Sequence, residues 1–128
     1  MNPATLVAVA LGGGVGALGR YALSTWAQSA LGAGFPWGTL SVNVTGSFLM
    51  GVLAGALQRG ALPPEFQTLA AVGILGSFTT FSAFSLENVR LIQEGAWGRA
   101  LAYMALSVVV GILAVVLGLR AVGGSTGS

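Results

Sequence analysis

Four long runs of apolar residues, each separated from the next by a short polar or Gly/Pro-rich break, dominate the chain. The runs cover about residues 4–31, 37–57, 66–92 and 97–119. A membrane-spanning helix needs about 20 predominantly apolar residues at a rise of about 1.5 Å per residue. The pattern therefore predicts an all-α membrane protein, a single domain over residues 1–122 with four transmembrane helices.

Residues that favour helix ends or helix starts fill the breaks. Pro36 follows a Gly-rich stretch and suits the first turn of the second helix. Glu65 follows two prolines, and its carboxylate suits the N-terminus of the third helix. Residues 94–96 make the third connection, and residues 123–128 have the composition of a flexible tail.

The composition also indicates a lipid environment, because 55% of the residues are hydrophobic and only 6% are charged. A soluble domain has about 25% charged residues. The absence of Cys and His excludes disulfides, thiolate or imidazole metal sites, and catalysis by either residue type. Isolated Ser and Glu residues offer no enzyme site, and five scattered arginines form no stripe that would bind nucleic acid.

The arginines are balanced between the two ends of the predicted helices. Arg59 and Arg120 lie at one end, Arg90 and Arg99 lie at the other, and Arg20 is inside the first helix. The positive-inside rule therefore predicts no preferred orientation. Such a chain can insert both ways, and two copies could pair as an antiparallel, dual-topology homodimer. The alternative is a single orientation set by other features.

Hydroxyl residues crowd the middle of the third run, where Gly73 and Gly76 precede them. Such a patch at membrane depth predicts a helix broken near its middle, with unwound backbone that lines a cavity or is buried in protein. Carbonyl groups freed at a break can coordinate a cation such as Na⁺. The alternative is a continuous helix whose Ser and Thr side chains bond back to the preceding turn.

Three phenylalanines recur at every third position of the same segment and share one helix face. They can be core or lipid-facing residues. The alternative is a dry lane for an anion, because the edge of an aromatic ring carries positive charge density. The ring edges of Phe81 and Phe84 and the hydroxyls of Thr80, Ser82 and Ser85 would line that lane.

Other polar residues lie inside the spans. Arg20 is a candidate functional residue, because an ionisable group in lipid is costly. Asn43 in the second helix, with Tyr103 and Ser107 on one face of the fourth, can be functional or can join helices by hydrogen bonds.

Three charged residues end the third run: Glu87, Arg90 and Glu94. They are spaced to share one helix face. We therefore predict a paired helix end at the membrane surface.

The chain resembles the Fluc fluoride channels, also called CrcB proteins. The matching stretches are residues 12–21 (GGGVGALGRY), 38–48 (GTLSVNVTGSF) and 76–87, which contain TTFSAFS. The resemblance implies a fluoride-selective channel of the cell (inner) membrane that exports cytoplasmic fluoride passively. It also implies an antiparallel homodimer with two pores beside the subunit interface.

The resemblance further implies roles for individual residues. Asn43, Phe81 and Phe84 match pore residues, and Tyr103 and Ser107 match the start of a polar track on the fourth helix. This track can continue with another serine in the family, but Gly111 stands at that place here. A structural Na⁺ at the dimer centre would be held by the backbone carbonyls of Gly76 and Thr79. Arg20 would contribute to the field that attracts anions to a vestibule.

The main rival is a small multidrug transporter, which has the same length and architecture. Those exporters depend on a glutamate in the first helix for proton coupling, and the first helix here contains no acidic residue. The second rival is a membrane interaction protein without transport activity, which would not need the polar patch in the third helix.

Overall fold

The computed structural model describes residues 1–63 and 65–123. Four helical spans, Pro3–Leu31, Trp37–Gln58, Glu65–Gln93 and Trp97–Ala121, are long and apolar enough to cross a membrane. The described residues contain no strand. The prediction of an all-helical chain with four spans is therefore confirmed. The predicted tail lies outside the described residues except for Gly123.

The first span is helix α1 (Pro3–Leu31), and its ends follow from local chemistry. The side chain of Asn2 accepts a hydrogen bond from the Ala4 amide at 2.8 Å, and Pro3 occupies the first turn. The helix ends at Gly32, whose φ of +102° disfavours a residue with a side chain. Gln28 closes the following turn by donating to the carbonyls of Gly32 and Phe35.

The third span contains several kinds of helix. Its first half consists of α3 (Glu65–Gln67), a π-helix (Thr68–Leu75) and α4 (Gly76–Phe78), in that order. Helix α5 (Phe81–Gln93) forms the second half. A π-helix is wider than an α-helix, and short π-helical stretches occur frequently at functional sites.

Glycines let α1 pack closely against the π-helix. A Cβ atom at Gly16 would collide with the Ile74 carbonyl, and one at Gly12 would lie 3.1 Å from a methyl of Leu69. Helices in lipid associate through such small residues, because no hydrophobic force drives them together there.

Helices α2 (Trp37–Gln58) and α6 (Trp97–Ala121) form a second close pair. A Cβ atom at Gly51 would collide with the Val115 carbonyl, and one at Gly118 would collide with the Phe48 carbonyl. The two backbones are therefore in direct contact, which fixes the position of α6 along α2.

The outer surface is largely apolar. Leu11 and Leu18 on α1 are 68% and 72% exposed, and Ile112 and Leu117 on α6 are each 61% exposed. The buried core is small and includes Tyr103, which is fully buried. An apolar exterior around a small core is expected of a multi-pass membrane protein whose surroundings are lipid or another subunit.

Candidate functional site

The backbone is extended at two residues in the middle of the third span. Thr79 has φ −90° and ψ 162°, and Thr80 has φ −151° and ψ 122°. These residues separate α4 from α5 and face two cavities. One cavity of about 290 Å³ is lined by Asn43, Phe81 and both threonines, among others. The other, of about 490 Å³, is lined by both threonines, Arg20 and Ser82, among others.

The side chain of Asn43 holds this extended segment. Its Oδ1 accepts a hydrogen bond from the Thr80 amide at 2.8 Å, and its Nδ2 donates to the Thr80 carbonyl at 3.0 Å. The peptide groups of a spanning segment must find partners inside the protein, because lipid offers none. Asn43 supplies both partners for Thr80 from the neighbouring helix α2.

Two amides that would bond backward in a continuous helix have other partners here. An α-helix would direct the Thr80 amide to the Gly76 carbonyl and the Ala83 amide to the Thr79 carbonyl. The Thr80 amide instead donates to Asn43, and the Ala83 amide donates to Thr80 Oγ1 at 3.2 Å. The carbonyl oxygens of Gly76 and Thr79 thereby lose their usual helical donors.

Arg20 reaches the end of the first half of the third span. Its Nε donates a hydrogen bond to the Ser77 carbonyl at 3.1 Å. A cation at this position is favourable, because the C-terminal carbonyls of a helix carry partial negative charge. Arg20 thus bonds to α4 two residues before Thr79, and it also lines the cavity of about 490 Å³.

The predicted aromatic pair is adjacent in space but differs in exposure. Phe81 is 77% exposed, whereas Phe84 is half-buried. Their ring centroids are 5.6 Å apart with 39° between the ring planes. Phe84 also packs against Tyr103, with centroids 4.9 Å apart. Phe81 therefore faces the outside of the helix bundle, and Phe84 connects it to the core.

The predicted hydroxyl residues serve different local purposes. Thr80 caps α5, and its Oγ1 lies 3.4 Å from the hydroxyl of the exposed Ser82. Ser85 donates to the Phe81 carbonyl in the preceding turn. Thr79 likewise donates to the Leu75 carbonyl at 3.0 Å. The hydroxyls of Thr79 and Ser85 thus bond to the backbone, as the continuous-helix alternative also expects.

A polar cluster at Glu87 was not predicted from the sequence. Tyr103 donates its hydroxyl to Glu87 Oε1 and Thr39 donates its hydroxyl to Glu87 Oε2, both at 3.0 Å. The carboxylate therefore faces α2 and α6. The spacing of Thr39 four residues before Asn43 was the available signal, because it places both side chains on one face of α2.

Ser107 is placed differently from the other predicted residues. Its Oγ is buried and has no hydrogen-bond partner within the described part of the chain. Ser107 and Tyr103 line neither of the two cavities at Thr79 and Thr80, whereas Asn43, Phe81 and Thr80 share one of them.

These features define a class: a small four-span membrane protein with cavities that meet at extended backbone in its third span. The family described as "CrcB-like protein, Camphor Resistance (CrcB)" matches residues 7–119. The chain belongs to this CrcB family.

Curated relatives resemble the chain over most of its length. A protein of Thermus thermophilus named fluoride-specific ion channel FluC is 50% identical over 93% of this chain and 94% of its own. A protein of Magnetococcus marinus with the same name is 53% identical over 87% and 91%. A third, from Sorangium cellulosum, is 46% identical over 87% and 88%.

Proposed function

We propose that the chain is a fluoride-selective ion channel, which exports cytoplasmic fluoride passively across the cell (inner) membrane and so lowers its toxicity. The names of the relatives support this function. The observation that carries it in the structure is the pair of cavities at Thr79 and Thr80, whose linings combine apolar residues with neutral polar side chains and Arg20.

The chemistry of the lining suits a small, strongly hydrated anion. An asparagine amide has two N–H donors, and the Thr80 carbonyl takes one of those of Asn43. The other donor, the hydroxyls of Thr80 and Ser82, and the edge of Phe81 would replace the water around fluoride. The edge of Phe84 would add to them from beside Phe81, although Phe84 lines neither cavity. Neutral donors hold an anion less tightly than a lysine would, and conduction requires both entry and release.

Tyr103 and Ser107 are assigned to a polar track on α6 that extends the pathway. The buried, unpaired Ser107 hydroxyl supports this assignment, because a buried hydroxyl without a partner in the described part of the protein is available to another ligand. Arg20 adds positive potential near the other cavity while it bonds to Ser77.

The second copy of the chain is proposed as an antiparallel partner in a dual-topology homodimer. Phe81 is 77% exposed and Ser82 is also exposed, so a pathway along them is open to the outside of one protomer. A partner at this surface would enclose it. The balance of arginines between the two ends is compatible with both orientations in the bilayer.

The backbone around the extended segment fits a structural Na⁺. The carbonyls of Gly76 and Thr79 lack their usual helical donors because Asn43 and Thr80 Oγ1 accept the amides concerned. Na⁺ is a hard cation, and neutral carbonyl oxygens are suitable ligands for it. Two carbonyls from each subunit would surround the ion at the centre of the dimer and hold the broken helices together.

The rival, a small multidrug-type proton-coupled exporter, has less support. Helix α1 contains no acidic residue that could exchange a proton with a drug, and the relatives carry the channel name.

The test is ion efflux from liposomes that contain the purified protein, followed with fluoride- and chloride-selective electrodes. The proposal expects rapid fluoride release as long as the membrane potential is dissipated, and little chloride release. Without that dissipation, fluoride release should stop. Equal release of both anions, or no fluoride release, would contradict it. Fluoride flux that required a proton gradient would favour a coupled exporter instead.

A further inference from the structure

Helices α2 and α6 run side by side in one constant register. Thr39 and Tyr103 reach the same carboxylate, that of Glu87. Two turns further along, a Cβ atom at Gly111 would lie 3.7 Å from Ser47 Oγ. Residues 39 and 103 have the same separation in sequence as residues 47 and 111, and the contact of Gly51 with Val115 continues the series.

We call each pair of facing residues, one on α2 and one on α6, a level of this helix pair. The register places at least one polar side chain at each of three successive levels. The first level holds Thr39 and Tyr103. The second pairs Asn43 with Ser107, since each lies four residues beyond the first pair. At the third level only α2 contributes a hydroxyl, that of Ser47, because α6 has Gly111 there.

Ser47 is accessible at this level. It lines the cavity of about 290 Å³ together with Asn43, Thr80 and Phe81, which already belong to the proposed pathway. Gly111 has no side chain to cover the Ser47 hydroxyl. At the next level the pair is Gly51 and Val115, which has no polar side chain, so the polar series ends at Ser47.

We propose that Ser47 is a further fluoride-contacting residue, which donates its hydroxyl to the ion at the level of Gly111 and takes over from Ser107. This inference rests on the proposed fluoride channel. A serine O–H can donate to an anion in place of one water molecule, and hydrogen bonds to charged groups are the stronger ones. The polar series therefore changes from α6 to α2 between its second and third levels.

The test compares fluoride efflux from liposomes for Ser47→Ala, Gly111→Ser and the double variant. Ser47→Ala should lower the fluoride flux about tenfold, the factor expected when one hydrogen bond to a charged group is lost. The double variant should recover most of the flux, because the new serine on α6 stands at the same level, and its Cβ fits at 3.7 Å from the site of the old hydroxyl.

Two controls separate a hydroxyl from packing. Combining Ser47→Ala with Gly111→Ala adds the same Cβ without a hydroxyl, so it should leave the flux low. Thr45→Ala removes a hydroxyl from an exposed position of the same helix and should leave the flux unchanged. Size-exclusion chromatography checks folding, and Ser47→Thr, which keeps the hydroxyl, should retain flux if Ser47→Ala folds poorly.

The outcomes distinguish the two proposals. Unchanged flux in Ser47→Ala, or equal recovery by serine and alanine at position 111, would overturn the role of Ser47 while the unaltered protein still carried fluoride. A loss of flux in both Ser47→Ala and Ser47→Thr would also overturn it, as packing would then be the cause. If the unaltered protein carries no fluoride, the channel proposal fails together with this inference.

Discussion

The carboxamide of Asn43 bonds to both the amide and the carbonyl of Thr80, at 2.8 and 3.0 Å. One side chain on α2 thus satisfies both backbone polar groups of one residue of the third span, at the point where that span is extended. The same bond diverts the Thr80 amide from Gly76. Asn43 is therefore a structural residue of the site in addition to its proposed contact with fluoride.

Asn43→Leu should destabilise the protein and abolish fluoride flux. Leucine has a similar volume but leaves the Thr80 amide and carbonyl without partners, and each buried unsatisfied group costs about 1–3 kcal/mol. Thermal unfolding in detergent and liposome efflux measure the two effects. Asn2→Ala is the control for flux, because it removes an asparagine that caps α1 at its exposed end, which can lower stability but leaves the proposed pathway intact. Normal stability and flux in Asn43→Leu would contradict the structural role.

Phe81→Ile and Phe84→Ile should differ in stability but not in flux. Both remove a ring edge from the proposed lane, so we expect each to lower fluoride efflux several-fold. That factor corresponds to the free energy of an aromatic contact, about 0.5–1.5 kcal/mol. Phe84→Ile should lower the melting temperature more than Phe81→Ile, because Phe84 packs on both Tyr103 and Phe81 whereas Phe81 packs on Phe84 alone among the described rings and is 77% exposed. Phe66→Ile changes an exposed ring in α3 and should alter neither property. Unchanged flux in Phe81→Ile would remove the aromatic edge from the mechanism.

Arg20 variants can separate its charge from its hydrogen bond to Ser77. Arg20→Lys keeps the charge, so its flux at low ionic strength should exceed that of Arg20→Gln. The difference should shrink near 1 M of an impermeant salt, where the Debye length is about 3 Å. Both variants should lose about 1 kcal/mol of stability, because the Ser77 carbonyl loses its hydrogen bond from Arg20 Nε. Equal flux for the two variants at low salt would contradict a role for the charge of Arg20.

Removal of Na⁺ should weaken the proposed dimer. Protein purified in choline chloride should show a lower melting temperature and a smaller dimer fraction by light scattering than protein in sodium chloride, and added Na⁺ should reverse both. Thr79→Ser should respond in the same way, since the proposed ligand at this residue is the backbone carbonyl. Identical behaviour in the two salts would contradict a structural sodium.

Part of this arrangement could be predicted from the sequence. The four spans follow from apolar runs long enough for a bilayer, and Asn43 is conspicuous because it is polar inside a span. The partner of Asn43 is not conspicuous, since Thr80 is 37 residues away and meets it only through helix packing. The π-helix Thr68–Leu75 has an ordinary apolar composition, so its residues carry no sign of the wider turn.

Glu87 shows where reasoning from local spacing fails. Its spacing from Arg90 and Glu94 predicts a paired helix end at the surface, because a linear pattern shows only neighbours on the same helix. Its hydrogen bonds run to Thr39, 48 residues away, and to Tyr103, 16 residues away. Those partners depend on the register of α2 and α6, which the glycine contacts determine.

Glu87→Gln should therefore destabilise the bundle, although it preserves the shape of the side chain. An ionised carboxylate accepts at both oxygens, whereas an amide accepts at one and donates at the other, so either Thr39 or Tyr103 loses its acceptor. We expect a loss of about 1–3 kcal/mol in the free energy of unfolding, measured in detergent.

A double-mutant cycle with Tyr103→Phe should show a coupling energy of about 0.5–3 kcal/mol, because the two side chains share one hydrogen bond. Glu94→Gln is the matched control at the exposed position directly after the same span and should have no effect. Unchanged stability in Glu87→Gln would contradict the structural role of this carboxylate.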